Sequence, residues 1–210
     1  MTHTASWPTA TAGVLETVTA TGQPGGCWNH AALGIQGIEG RDEERAPVRA
    51  RTWGNTRTRR NLEAGGDAYV QFLRDPVLFV EAALGIVERE EPVLDAADAW
   101  VHVRPERVGT GREGETSWVD WQLSPVESCV RRREVPRTAR GYAAIVEMSV
   151  AASRLSVSSY DRDELDARLA YFDDVVERCG TPEDLTARDR IEALTAWERP
   201  AERENTATDR

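Results

Sequence analysis

Between residues 46 and 62 the chain carries five arginines, Arg49, Arg51, Arg57, Arg59 and Arg60, and no aspartate or glutamate. The whole chain is acidic: 36 Asp and Glu stand against 26 basic residues, all of them arginine, for a formal net charge of -10. The reversal is local, and its chemistry is that of an anion receptor. In RTWGNTRTRRNLEAGG (51–66), Asn55 or Thr56 is placed to cap a short helix, and Gly65 with Gly66 to stop it. Arg57, Arg59 and Arg60 then fall in the first turn or just past it. There the partial positive charge of a helix start makes each cation unfavourable by about 0.3–1 kcal/mol. A bound anion would turn these liabilities into partners. First-turn N–H groups point outward, Thr56 and Thr58 add hydroxyl donors, and Arg49 and Arg51 approach from the preceding strand. Two alternatives use the same residues. The arginines can be solvated, with their stems along the surface, or the cluster 49–60 can hold a nucleotide or an RNA backbone. Against general nucleic-acid binding stand the acidic net charge and the lack of the aromatic interleaving used by single-strand binders.

Little else in the sequence points to chemistry. Cys27, Cys129 and Cys179 are far apart with no CxxC, which argues against a disulfide framework or a zinc site. His3, His30 and His102 are scattered, and no nucleophile or acid–base pair stands out. A length of 210 residues with 40% hydrophobic content suits one core domain with an appended subdomain. No apolar run is long enough to cross a membrane. MTHTASWPTATAG lacks the basic and apolar regions of a signal peptide, so a soluble, cytoplasmic protein is expected. Acid excess without lysine fits a salt-rich cytoplasm; a GC-rich genome favouring arginine codons is the plain alternative.

The elements that must position the cluster follow from periodicity and turn signals. VLETVTAT (14–21) and CWNHAALGI (27–35) flank TGQPGG and predict a hairpin. A polar loop (37–47) leads to the strand PVRARTW (47–53), then the short helix, then the strand AYVQFL (68–73). Asp75 and Pro76 open a helix, PVLFVEAALG. AWVHV, TSWVDWQL and VESCVRRREV predict further strands within 98–134, with GTGREGET as a loop. From about residue 138 the period becomes helical: GYAAIVEMSVAASRL, DRDELDARLAYFDDVVERCG and TPEDLTARDRIEALTAWER, with caps expected at Thr138, Asp161 and Thr181. Asp161 with Glu164, and Thr181 with Asp184, have capping-box spacing. Short antiparallel strands with few crossover helices predict an α+β barrel over 13–135 and a helical subdomain over 136–198. Residues 1–12 and 199–210 are expected to be flexible tails.

In this order, LETVTAT (15–21), NHAALG (29–34), WGNTRTRRNL (53–62), DPVLF (75–79) and RGYAAIVEMSVAASRL (140–155) resemble the archaeal domain-of-unknown-function family 447. These are flavin-reductase-like proteins with an FMN-binding split β-barrel and a C-terminal helical part. The resemblance implies a homodimer with FMN near the subunit interface. It places the phosphate at Thr56 and Thr58 with Arg57 or Arg59 as charge partner. Asn29, His30 and Ala31 lie on the strand beside the flavin ring, and Asn61 matches the T-x-x-N asparagine. Asn55, Arg51 and Trp53 flank the site. Trp53 could cover a ring face, although a barrel tryptophan is more often core or interface. His30 could donate a proton, although a lone strand histidine more often packs or hydrogen-bonds. Gln71 stands where an asparagine is expected. The implied activity is flavin-dependent oxidoreduction by hydride transfer at flavin N5, with a nicotinamide nucleotide among the possible donors. A non-catalytic flavin carrier or sensor is the alternative that the same residues allow.

Overall fold

The β-branched run 14–22 and the strand after its turn pair as the alternation demands. Val14–Gly22 (β1) and Trp28–Gly37 (β2) run antiparallel from Val14 opposite Gln36 to Gly22 opposite Trp28. The structure is a computed structural model describing residues 5–22, 26–38, 45–135 and 138–199. Parts of the expected turn (23–25), polar loop (39–44), basic run (136–137) and both ends (1–4, 200–210) lie outside the described residues.

Val48–Trp53 (β3) follows, then Arg57–Glu63 (α1), Ala68–Phe72 (β4), Pro76–Leu84 (α2) and the three-residue Val87–Arg89 (β5). Two long strands, Ala99–Glu113 (β6) and Thr116–Val130 (β7), complete the β region. The strands are hydrogen-bonded in the order β1-β4-β6-β7-β3-β2, and β2 returns to β1. Six antiparallel strands therefore close on themselves, which removes the free edges an open sheet would leave. β5 adds to β2 alone, with Glu88 opposite Asn29.

Two expectations about this region are corrected. GTGREGET is not a loop: β6 and β7 pair as far as Glu113 opposite Thr116, and Gly114, at φ +55°, makes the turn. VESC is not a separate strand but the end of β7, and the run 131–135 leaves the sheet. A register shift at His102/Val103, beside Pro125, interrupts the pairing without ending the strand, because a bulge lets the ladder resume beyond a residue that cannot donate.

Every second residue of the strands points inward. Leu33, Ile35, Val48, Ala50, Val70, Val101, Val103, Val119, Trp121 and Leu123 form the barrel core. Trp7 joins them, 4% exposed, with its indole N–H donating to Ala46 O at 2.8 Å. Within the segment expected as a flexible tail, Trp7 and Thr11 are buried, while Thr9, Ala10 and Ala12 are exposed. Burying the indole with its N–H satisfied helps offset the entropy of ordering the residues around it.

The helices Arg140–Ala152 (α3), Arg162–Cys179 (α4) and Pro182–Leu194 (α5) build a second core around Ile145, Met148, Leu169, Val176, Ile191 and Trp197, and Val80 of α2 enters it. Thr181 and Asp184 form the reciprocal capping box, whereas Asp161 caps α4 by accepting from the Asp163 and Glu164 amides. The cap expected at Thr138 is displaced: Ala139 is the N-cap of α3 and gives no side-chain bond. Asp75 caps α2, accepting from the Val77 and Leu78 amides at 3.0 Å. No helix among the described residues is long and apolar enough to cross a membrane.

Candidate functional site

α1 begins where β3 leaves the barrel. Thr56 is its N-cap, accepting from the Arg59 amide at 3.2 Å. At the other end Gly65 takes φ +75°, and the Gly65 and Gly66 amides bond back to Leu62 O and Asn61 O. A side chain would strain that left-handed turn, so the Gly-Gly stop is structural.

Beneath α1 lies a buried polar patch. Asn29 Nδ2 donates to Thr58 Oγ1 at 3.3 Å, and Asn61 Nδ2 donates to Thr21 Oγ1 at 2.9 Å. The Thr21 hydroxyl in turn reaches Asn29 O at 3.5 Å. Asn29, Thr58, Asn61 and Thr21 are all buried, so each amide and hydroxyl needs its partner. The four tie β1, β2 and α1 together. A hydroxyl has one donor as well as acceptor pairs, so Thr58, accepting from Asn29, still has its O–H to give.

The arginines are not waiting for a ligand. Arg57 forms an ion pair with Glu88 on β5. Arg59 pairs with Glu63 one turn later at 2.9 Å and donates to Gly54 O at 3.1 Å and Ser117 Oγ at 2.9 Å. Arg60 donates to Asn55 O at 2.8 Å and to its side-chain oxygen at 3.4 Å. Carboxylates distant in sequence or one helical turn away thus offset the unfavourable charges, and a window ending at Leu62 could not include Glu63 or Glu88. Each pair is at least partly open to solvent and so exchangeable.

The other sequence-identified residues divide between two faces. Asn29 and Ala31 share the inward side of β2 with Leu33, while His30 takes the opposite side. His30 is 1% exposed. Its Nδ1 lies 3.3 Å from Gln71 Nε2 and its Nε2 lies 3.3 Å from Glu91 O. An amide NH₂ can only donate and a carbonyl can only accept, so the ring is neutral with its proton on Nε2. Burial first, then Arg89, pushes its pKa below the ordinary histidine value, against the Glu91 hydrogen bond. Gln71 also donates to Pro92 O at 3.2 Å and accepts from the Leu94 amide at 2.7 Å. The glutamine in place of an asparagine therefore holds the 91–94 loop and His30, a network that no sequence pattern indicated.

Arg51 and Trp53 are on the outer face of β3, exposed. Arg51 makes a bidentate pair with Asp120 at 2.6 and 2.9 Å and lies over the Trp118 ring, 4.0 Å from its centroid, and 5.4 Å from that of Trp53. The Arg51 hydrogen bond holds the Asp120 carboxyl below its usual range. Trp118 rests on Gly111, where a Cβ would meet the indole at 2.3 Å. Sequence alternation made Arg51 and Trp53 neighbours on one face but could not reveal Trp118 and Asp120, which arrive across the β3–β7 ladder. Among the described residues no group of His, Cys, Asp and Glu could hold a metal ion.

A closed six-stranded antiparallel barrel, with a basic helix start over a buried Asn/Thr patch and helices α3 to α5 after it, is the molecule to be classified. Residues 15–132 match the model described as Protein of unknown function (DUF447) N-terminal domain, and residues 139–193 match Protein of unknown function (DUF447). The chain belongs to the DUF447 family. Its fold is similar to that of the FMN-bound DUF447 protein MM1853 from Methanosarcina mazei, with 21% identity, a TM-score of 0.70 and coverage of 87% of this chain and 95% of that one. More distant likenesses are a flavoredoxin from Methanosarcina acetivorans (12% identity, TM-score 0.42, 59% of this chain and 72% of that one) and the styrene monooxygenase flavin reductase from Pseudomonas putida (13%, 0.37, 58% and 92%). No curated protein matches the sequence significantly.

Proposed function

We propose that this protein binds FMN, with the terminal phosphate at the start of α1 and the ring system beside β2. The observation that carries the reading is the basic helix start of Thr56, Arg57, Thr58 and Arg59, set on the buried patch of Asn29, Thr58 and Asn61. Membership in a family with an FMN-bound representative of the same fold supports it. Thr56 and Thr58 supply hydroxyl donors, and the first-turn amides supply N–H groups. Arg57 and Arg59 exchange solvent-accessible carboxylate partners for phosphate oxygens, a swap between like contacts that costs little. The backbone of β2 at Asn29, His30 and Ala31 runs beside the ring, and Asn55 and Asn61 hold the two ends of α1. Arg51 and Trp53, on the outer face, form the wall that a second copy shares in a homodimer.

The flavin, when bound, supplies hydride transfer at N5; the protein supplies anchoring, orientation and exclusion of water. His30 is buried, neutral and committed to Gln71 and Glu91, so it does not serve as the proton donor. We therefore favour a flavin-dependent oxidoreductase whose electron donor, a nicotinamide nucleotide among the candidates, meets the flavin directly. The commitment of His30 to Gln71 and Glu91 also suits a second reading, a carrier or sensor that holds flavin without turnover. The barrel, residues 13–135, would hold the flavin, and the helices of 136–198 would buttress it through α2. Apoprotein titrated with FMN and FAD, followed by flavin fluorescence, tests the binding. Tighter binding of FMN is expected; tighter binding of FAD would refute the terminal-phosphate site, and binding of neither would refute the flavin reading.

A further inference from the structure

We propose a second ligand site, for a small organic anion with an apolar body, in the open cleft between the end of α2, β5 and α5. The cleft has a volume of about 290 Å³ and is lined by Glu81, Gly85, Ile86, Val87, Arg89, Arg190 and Leu194. Pockets for small molecules run from about 300 to 1,000 Å³, so this one takes a single ring or a short chain, not a dinucleotide. Its lining combines the apolar side chains of Ile86, Val87 and Leu194 with the guanidiniums of Arg89 and Arg190. Ile86 is 72% exposed there, beside Val87 and Leu194. Water against such a surface is released on covering it, which favours an apolar occupant.

The rim sets the charge of that occupant. Among the described residues Arg89 makes no ion pair; its Nη1 gives one long hydrogen bond, 3.4 Å, to the carbonyl of neighbouring Glu88. Arg190 meets Glu81 at 3.4 Å, a loose contact between partly exposed side chains. Two guanidiniums and one carboxylate leave the cleft with a net positive charge, in a chain of net charge -10. Arg51, Arg57, Arg59, Arg74, Arg132 and Arg188 are each paired with a carboxylate, whereas Arg89 at this rim is not. The cleft is separate from the α1 site. Val87 and Arg89 point to one side of β5, while Glu88, between them, turns to the other and pairs with Arg57. The proposal therefore stands whether or not the protein binds flavin.

Titration of the full chain with phenyl phosphate, benzoate and benzyl alcohol, followed by amide chemical shifts, tests it. The two anions are expected to give saturable shifts at Gly85–Arg89 and Arg190–Leu194, and benzyl alcohol to bind at least about tenfold more weakly. Arg89→Ala should weaken the anions about tenfold and leave the alcohol unchanged, and Ile86→Asn should weaken all three. Both residues are exposed, so neither change threatens folding. Shifts confined to other regions, equal binding of the neutral alcohol, or unchanged anion affinity in Arg89→Ala would each overturn the site. Preference for phosphate or for carboxylate identifies which anion chemistry it serves.

Discussion

His30 shows most clearly how one residue's role follows from its partners. Its folded pKa is depressed, so the unfolded chain binds the proton more tightly. Stability from this group is fully present above its unfolded value of about 6.5 and is lost as pH falls below that value toward the folded pKa. Unfolding midpoints in urea should therefore drop below pH 6.5 by more in the wild type than in His30→Gln, which cannot titrate. Parallel pH curves would contradict the buried neutral ring. Thr58 permits a second test at this scale. Thr58→Val removes the acceptor of Asn29 while keeping the shape, leaving a buried amide donor unpaired at a cost of about 1–3 kcal/mol. Denaturant unfolding without ligand should show that loss, whereas Arg57→Ala, at an exposed pair, should stay within about 1 kcal/mol of the wild type.

At the scale of elements, the caps make comparable predictions. Thr181→Ala removes half of a reciprocal capping box and should destabilise by about 1 kcal/mol. Ala139→Ser supplies the side-chain cap that α3 lacks and should stabilise by about 0.5–1 kcal/mol; thermal unfolding reads both. Gly111→Ala drives a methyl into Trp118 and should cost about 1–3 kcal/mol. The contrast between caps also marks what the sequence made legible. Thr181 and Asp161 were readable because cap and helix are contiguous, as were the β1–β2 hairpin, the Asp75-Pro76 start and the Gly-Gly stop. β5 was not, because three residues carry no period, and its place is set by pairing with β2. The loop expected at 109–116 failed because glycine and charge, which usually mark turns, here serve the packing of Trp118 and an exposed strand. The site was legible in part. The arginine cluster and the Thr-x-Thr spacing are local, whereas Glu88, Asp120 and Ser117 reach those arginines through the fold. His30 lies on the opposite side of β2 from Asn29, since one residue of strand parity separates the α1 patch from the 91–94 loop.

For the molecule as a whole, barrel closure fixes the start of α1 against β1 and β2, and the second core anchors α2 on the barrel's outer side. The proposed homodimer uses the Arg51, Trp53 and Trp118 face, which carries the aromatic and arginine character of interface centres. Light scattering at constant salt should give twice the 23.3 kDa chain mass; the chain mass alone at all concentrations would leave that face without its partner. The central claim, that FMN is held by its phosphate at α1, is tested most directly by calorimetric titration with FMN and with riboflavin. FMN is predicted to bind at least about tenfold tighter, with most of that advantage lost in Arg59→Ala and Thr58→Val. Equal affinity for the two, or an advantage untouched by both substitutions, would contradict the account.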